Sequence, residues 1–210
     1  MKSFLEPLDD VPCFTKASLR LVFGGSEDAL NERIKRALRK DELISLRNGL
    51  YTTRIYYLTE PDKSAFLEFV ASRLTPLSYI SSTYILSQYQ LLTEATYPLT
   101  SVTLQNTRSF QNTLGNFLYQ SIRQDLFTGF VSKRYRQNMY WVAQKAKALF
   151  DFLYLKRNLG RDLAWELQDG LRINWENFGE EDRRLFQGWS VLARSPKMQR
   201  IARMVQKIAE

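Results

Sequence analysis

The stretch that most constrains the fold is LISLRNGLYTT, residues 43–53, in which two short alternating runs flank Asn48-Gly49. Asn-Gly favours the positive backbone angles of a two-residue type I′ turn, so the two runs are predicted to form a tight β-hairpin. Such a turn fixes the register of the strands. It would place Ile44, Leu46, Tyr51 and Thr53 on one face and Ser45, Arg47, Leu50, Thr52 and Arg54 on the other. The first face suits a core, and the second is polar and basic at its tip.

Two helices are predicted before this hairpin, on either side of Gly24-Gly25. Thr15 is a good N-cap for FTKASLRLV, and Ser26 is one for SEDALNERIKRALRK. The longer helix carries one largely apolar stripe, so it should pack one face inward: Leu30, Ile34, Ala37, Leu38 and Asp41. A weak, short helix interrupted at Pro7 is predicted before these two, over SFLEPLDDV. Helix, helix, Gly-Gly turn, longer helix and tight hairpin follow one another in the order of a winged helix-turn-helix, in which the hairpin is the wing.

The rest of the chain predicts a second domain. Residues 1–56 form the predicted winged helix-turn-helix domain, and residues 57–64 are predicted as a linker with a turn at Glu60-Pro61-Asp62. Residues 65–210 alternate helical runs with β-branched runs and end in three helical segments. The predicted fold class is therefore α+β: a winged helix-turn-helix followed by a mixed α/β domain with a helical tail.

Charge is distributed unevenly along the chain. The net charge is +8, and residues 131–160 carry seven basic side chains against one acidic. Residues 29–54 carry seven basic against three acidic. Two basic regions suggest a polyanionic partner such as nucleic acid. The alternative is a solvated surface that keeps the protein soluble.

The composition disfavours several kinds of chemistry. The chain has no histidine and a single cysteine, Cys13, so a closed zinc site or an intramolecular disulfide cannot be assembled. VFGGS is typical of nucleotidyltransferases, but these enzymes need two carboxylates on one strand face to hold Mg²⁺. Asp41 and Glu42 are adjacent and would point to opposite faces. We therefore expect no metal, no cofactor and no catalysis.

The chain also shows no export signal and no apolar run long enough to span a membrane. A single cysteine fits a reducing compartment. The expected location is the cytoplasm.

Candidate DNA contacts lie on the outer face of the longer helix and on the hairpin. Arginine and lysine in a recognition helix can bind guanine edges and phosphates, although Asp28 and Glu32 on the same face would repel phosphates. The candidates are Arg33, Lys35, Arg36 and Arg39 on the helix, Arg47, Asn48 and Arg54 on the wing, and Thr15 and Lys16 as phosphate contacts of the preceding helix. A candidate second basic surface surrounds the predicted buried strand MYWVA: Lys133, Arg134, Arg136, Lys145 and Lys147. The alternative for that cluster is a basic loop followed by one helical turn, with Trp141 in the core.

The string VAQKAKALFDFLYL, residues 142–155, resembles a motif of the AbiE-type antitoxin family of prokaryotic transcriptional regulators, roughly V-A-T-P-E-K-A-L-L-D-L-L-Y-L. FTKASLRL and LISLRNGLY resemble that family's winged helix and its R-x-G-[LV]-Y wing, and YISSTYIL and PLTSVTLQNTRSF resemble two later segments. The resemblance covers about residues 13–160. Lys145 and Ala146 depart from it, because they stand where Pro-Glu is usual.

The resemblance implies a DNA-binding repressor of the AbiEi-like type. Such a protein is the antitoxin of a two-gene toxin–antitoxin system and represses its own promoter through inverted repeats. The functional partner would be a nucleotidyltransferase-like toxin, without a stable complex between the two. Residue by residue, the resemblance assigns roles only in the wing. It implies that Arg47 contacts DNA and that Gly49 and Tyr51 have structural roles.

Two other hypotheses remain open. A protein-interaction module would use the basic surfaces to bind an acidic protein, with no sequence-specific DNA binding. A nucleotide-using or RNA-directed enzyme would need a paired-carboxylate metal site, which the sequence does not provide.

Overall fold

The computed structural model describes residues 5–92, 98–160 and 162–208 as a mixed α+β structure, which confirms the α+β part of the predicted fold class. The first part of the chain forms a small unit around a three-stranded antiparallel sheet of order β1-β3-β2. Its elements are a 3-10 turn (Glu6–Leu8), β1 (Phe14–Thr15), α1 (Lys16–Phe23), α2 (Glu27–Arg39), β2 (Leu43–Arg47) and β3 (Leu50–Thr53).

Both helices of this unit begin where their caps predict. The Thr15 hydroxyl accepts a hydrogen bond from the Ser18 N–H at 3.2 Å, and the Ser26 hydroxyl accepts one from the Ala29 N–H at 3.3 Å. Between the helices, Gly24 has a φ of +58°, which a side chain would disfavour. The chain therefore turns here and lays α2 next to β2.

The hairpin is present, but its detailed geometry differs from the prediction. A bulge lies between Ser45 and Arg47, and Ser45 pairs with Tyr51. On that side of the bulge the pairing of the strands is shifted by one residue from the predicted register. Gly49 has a φ of +75° whereas Asn48 does not have a positive φ, so the predicted type I′ turn is wrong. The predicted division of side chains between the two faces is also wrong.

Both faces of the hairpin are buried, because the small unit packs against the rest of the protein. Leu43 and Tyr51 belong to a small core with α1 and α2. Ile44, Leu46 and Leu50 belong to the large core that continues into the second part of the chain. The Asn112 side-chain amide also donates a hydrogen bond to the Leu46 carbonyl oxygen at 2.9 Å.

The second part is built on a six-stranded mixed sheet of order β6-β7-β5-β4-β9-β8. Its strands and the helices among them are α3 (Arg54–Thr59), α4 (Lys63–Leu74), β4 (Ser78–Ile80), α5 (Thr83–Gln88), β5 (Leu99–Thr103), β6 (Arg108–Asn112), β7 (Gly115–Ser121), β8 (Phe130–Tyr135) and β9 (Asn138–Ala143). The helical tail consists of α6 (Lys145–Leu155), α7 (Leu163–Trp165) continued by a π-helical turn (Glu166–Gly170), α8 (Glu180–Leu192) and α9 (Pro196–Ile208). Short 3-10 turns lie at Gln124–Leu126 and Trp175–Asn177.

Segment 57–64, predicted as a linker, contains the end of α3 and the start of α4. Glu60 within it is buried, and the Asp62 side chain caps α4 by accepting a hydrogen bond from the Ala65 N–H at 2.9 Å. The alternative interpretation of the basic cluster, a basic loop followed by one helical turn, is wrong in its first part, because Lys133 and Arg134 lie in strand β8. Along the described stretches of chain, no helix is long and apolar enough to cross a membrane.

Candidate nucleic-acid interface

The outer face of α2 is a row of exposed cations. The buried stripe of Leu30, Ile34 and Ala37 fixes the rotation of this helix, so the residues between them point to solvent. All four candidate helix residues are exposed, as predicted: Arg33, Lys35, Arg36 and Arg39. Lys35, Arg36 and Arg39 lie opposite the buried stripe, and Arg33 lies on its flank.

These four cations differ in how much of their charge is already neutralised. The Lys35 ammonium lies 2.8 Å from the Glu32 carboxylate, which holds the pKa of Glu32 below its usual range. Within the described part of the chain, Arg33, Arg36 and Arg39 have no carboxylate within 4 Å. These three guanidinium groups are therefore the ones most available to an external anion.

The tip of the hairpin carries a further exposed cation. Arg47 and Asn48 are both exposed, and the Arg47 guanidinium donates only a long hydrogen bond of 3.4 Å to the Asn48 carbonyl oxygen. Gly49 keeps the turn narrow with its positive φ. Among the described residues Arg47 has no carboxylate within 4 Å, so its guanidinium is available to an external anion.

Arg54, predicted as a wing contact, has a different position. It is the first residue of α3, and its guanidinium pairs with the Asp41 carboxylate at the end of α2. Its side chain is only about one quarter exposed. Because α3 begins at this arginine, its side chain turns back against the protein and does not lie on the outer face of the hairpin, where it was predicted.

Thr15 and Lys16 are likewise held by internal contacts. The Thr15 hydroxyl caps α1, while the Lys16 ammonium pairs with Glu27 at the start of α2. Arg20 reaches the same carboxylate at 3.0 Å. Glu27 therefore joins the two helices and offsets much of the positive charge that Lys16 would present to a phosphate.

The predicted second basic surface does not form as one patch. The Lys133 ammonium lies 2.7 Å from the Glu68 carboxylate, and the Arg136 guanidinium lies 2.9 Å from the Glu60 carboxylate. Lys145 pairs with Asp182 at 2.6 Å.

Arg134 is exposed and donates a hydrogen bond to the Arg136 carbonyl oxygen at 2.6 Å. It has no carboxylate within 4 Å in the described chain.

Lys147 is not on the surface at all, so its assignment to a basic patch is wrong. It is completely buried and pairs with the equally buried Asp151 one turn further along α6. Burial lowers the pKa of the Lys147 ammonium, against the opposing effect of Asp151. The Asp151 carboxylate also accepts hydrogen bonds from the Tyr79 hydroxyl at 2.9 Å and from the Ser81 hydroxyl at 2.7 Å. This network holds α6 against β4.

Sequence reasoning also missed two buried carboxylates that organise the second part. Glu60 accepts hydrogen bonds from the hydroxyls of Tyr56 and Tyr135, and Glu68 accepts them from those of Tyr84 and Tyr140. An isolated glutamate in a helical run gives no local signal for such a role.

The described residues contain no group of three or more cysteine, aspartate or glutamate side chains placed to hold a metal ion. Asp41 is engaged with Arg54, and its backbone has a positive φ, so Asp41 and Glu42 do not share a strand face.

Comparison with known proteins gives no family. No protein-family model matches the chain, and no curated protein is significantly similar to it.

Proposed function

We propose that this protein is a DNA-binding transcriptional regulator that places α2 in the major groove and the β2–β3 hairpin beside it. The observation that carries the proposal is the exposure of Arg33, Arg36 and Arg39 on α2 and of Arg47 at the hairpin tip, since none of the four has a carboxylate within 4 Å among the described residues. Guanidinium groups spaced along one exposed helix face suit phosphates and guanine edges.

The order of elements supports the same proposal. A turn, a strand, two helices and a hairpin follow one another here, with the first strand paired to the last, and this order resembles that of a winged helix-turn-helix. The departure is the first helix of that arrangement, which here is only the 3-10 turn Glu6–Leu8. The capped α2 is 13 residues long, enough to cross a groove about 12 Å wide.

The finer proposal follows from the motif resemblance. The protein acts in the cytoplasm as a repressor of its own promoter, binds inverted repeats there, and is the antitoxin of a two-gene system. The functional partner is a nucleotidyltransferase-like toxin that does not form a stable complex with it. The identity of the neighbouring gene tests the toxin part of this proposal directly.

The DNA part is tested with variants of the full chain and the DNA upstream of its gene. Arg33→Ala and Arg36→Ala should each weaken binding by about 1–3 kcal/mol if they contact bases. Arg184→Ala is the matched control, because Arg184 is exposed on α8 and already pairs with Glu181. Equal affinities for all three variants and the wild type, measured by fluorescence anisotropy, would refute the placement of α2 in the groove.

One observation favours the second candidate, a protein-interaction module. Leu21 on α1 is 90% exposed, and Val22 next to it is partly exposed. Exposed apolar side chains at adjacent positions suit a protein contact, such as a second copy of the chain on an inverted repeat or an acidic partner protein. Leu21→Glu would abolish such a contact, and sedimentation with and without DNA distinguishes the two partners.

A further inference from the structure

A cleft of about 460 Å³ lies between the small unit and the large sheet, beside the hairpin. Its walls come from the start of α1, the hairpin, the end of α4 and the strand β9. The residues that decide its chemistry are Cys13, Arg47, Arg73, Met139 and Trp141. The volume lies within the range of sites for small organic ligands, which often form between structural units.

The cleft is positively charged. None of the fourteen described residues that line it is acidic, and two of them are arginines, Arg47 and Arg73. The Arg73 guanidinium lies 5.3 Å from the centroid of the Phe69 ring, which limits its freedom to move away. Among the described residues, neither arginine has a carboxylate within 4 Å.

Cys13 does not neutralise Arg73 either. The Cys13 side chain and Arg73 are hydrogen-bonded, but burial raises the pKa of the thiol to about 11 despite the nearby guanidinium. The thiol therefore stays protonated at neutral pH. The positive charge of Arg73 remains available to a ligand in the cleft.

An aromatic platform completes the cleft. Trp141 is 38% exposed, which corrects its prediction as a core residue. Phe130 stacks on the indole with ring centroids 5.0 Å apart and an angle of 25° between the planes. Because Phe130 holds one side of the ring, a planar ligand can stack on the other. Met139, two residues earlier on β9, is also exposed and extends the apolar surface.

We propose that this cleft binds a nucleoside phosphate, with its base stacked on Trp141 and its phosphate between Arg47 and Arg73. A flat apolar surface next to two unpaired guanidinium groups matches both parts of such a ligand. The source is either a free nucleotide or a nucleotide unit of a single strand. The proposal shares Arg47 with the proposed duplex interface, but Arg73 and Trp141 belong to the cleft alone, and Arg33 and Arg36 lie outside it.

Tryptophan fluorescence tests the proposal on the full chain. Adenosine and uridine monophosphate, and separately the single strands dA₄ and dT₄, are titrated against the protein at low salt. Saturable quenching by the monophosphates identifies a free nucleotide, and quenching by the tetramers alone identifies a single strand. Absence of saturable quenching by all four probes at millimolar concentration overturns the proposal.

Four variants separate the cleft from the rest of the surface. Arg73→Gln should weaken binding at least about tenfold, and Trp141→Leu should do the same while abolishing most of the quenching. Trp165→Leu and Arg184→Gln are matched controls, since both side chains are exposed elsewhere and should leave binding unchanged. Trp141→Phe keeps a ring and should retain binding, so its behaviour distinguishes lost stacking from a lost fold. Equal affinity for Trp141→Leu and the wild type, measured by calorimetry, contradicts the stacking role whatever the outcome for duplex DNA.

Discussion

Asp151→Ala is expected to be among the most destabilising single substitutions in the large core. The substitution leaves the Lys147 ammonium buried without its partner, and it deprives the hydroxyls of Tyr79 and Ser81 of their acceptor. Removing one member of a buried ion pair costs about 3–5 kcal/mol. An unpaired buried hydroxyl costs about 1 kcal/mol more where it finds no new acceptor. We therefore expect a loss of about 4–6 kcal/mol, a large part of the stability of an ordinary domain.

Lys147→Met should cost less, about 1–3 kcal/mol, because Asp151 keeps both hydroxyl donors. Burial already raises the pKa of that carboxyl, so it can take up a proton once its partner is gone. The double variant Lys147→Met/Asp151→Leu leaves no buried charge and should recover part of the loss of Asp151→Ala.

Urea unfolding at pH 7, followed by circular dichroism and by fluorescence, gives the three free energies of unfolding. We expect Asp151→Ala to have a lower free energy of unfolding than Lys147→Met, and this order is a stricter test than the absolute values. A cost below about 1 kcal/mol for Asp151→Ala, or a double variant no more stable than that single one, would refute the role of this pair in holding α6 against β4.

Three further predictions concern other parts of the molecule. Arg54→Ala should leave DNA affinity unchanged and lower the free energy of unfolding by under about 1 kcal/mol. Arg36→Ala should weaken DNA binding and leave the free energy of unfolding unchanged. Anisotropy measures the affinities, and urea unfolding measures the stabilities. Burial would raise the pKa of Glu60, but its hydrogen bonds hold that pKa below its usual range, so the stability that Glu60 adds is present above about pH 5 and is lost as the pH falls further. The difference in unfolding free energy between the wild type and Glu60→Gln should therefore shrink in acid, and a constant difference from pH 7 to pH 3 would count against this. Gly188 lies on α8 with open space around it, so Gly188→Ala should raise the free energy of unfolding by about 0.5–1 kcal/mol. Gly129 has a φ of +75°, and a Cβ there would lie only 2.4 Å from the Trp189 ring. Gly129→Ala should therefore lower the free energy of unfolding by about 1–3 kcal/mol in the same assay.

Local signals predicted the elements of the small unit well. The side chains of Thr15 and Ser26 cap their helices, and Asn48-Gly49 turns the hairpin, because each of these effects acts within a few residues. The bulge at Ser45 could not be predicted in the same way. The burial of Leu50 could not be predicted either, because the alternation pattern assigned it to the polar face and the large core that buries it is built mainly from later parts of the chain.

In the candidate site, too, effects within one helix could be predicted, whereas contacts between residues distant in sequence could not. The exposure of Arg33, Arg36 and Arg39 follows from helical spacing alone. The neutralisation of other cations does not, because their partners are distant in sequence: Arg136 pairs with Glu60, 76 residues earlier. Charge counts along the chain therefore overestimated the basic surface around β8 and β9. Trp141 likewise lies in an apolar strand, which suggested a core position, but its side chain is partly exposed at the edge of a cleft.

The central claim is that the exposed row on α2 and the hairpin tip bind a specific DNA sequence. Fluorescence anisotropy of the wild-type protein with upstream DNA and with a scrambled duplex, at several salt concentrations, tests this claim most directly. The proposal predicts much tighter binding to the upstream duplex and an affinity that falls steeply as salt increases, because several phosphates are contacted. Equal, weak binding to both duplexes would contradict it and reduce the basic face to nonspecific charge.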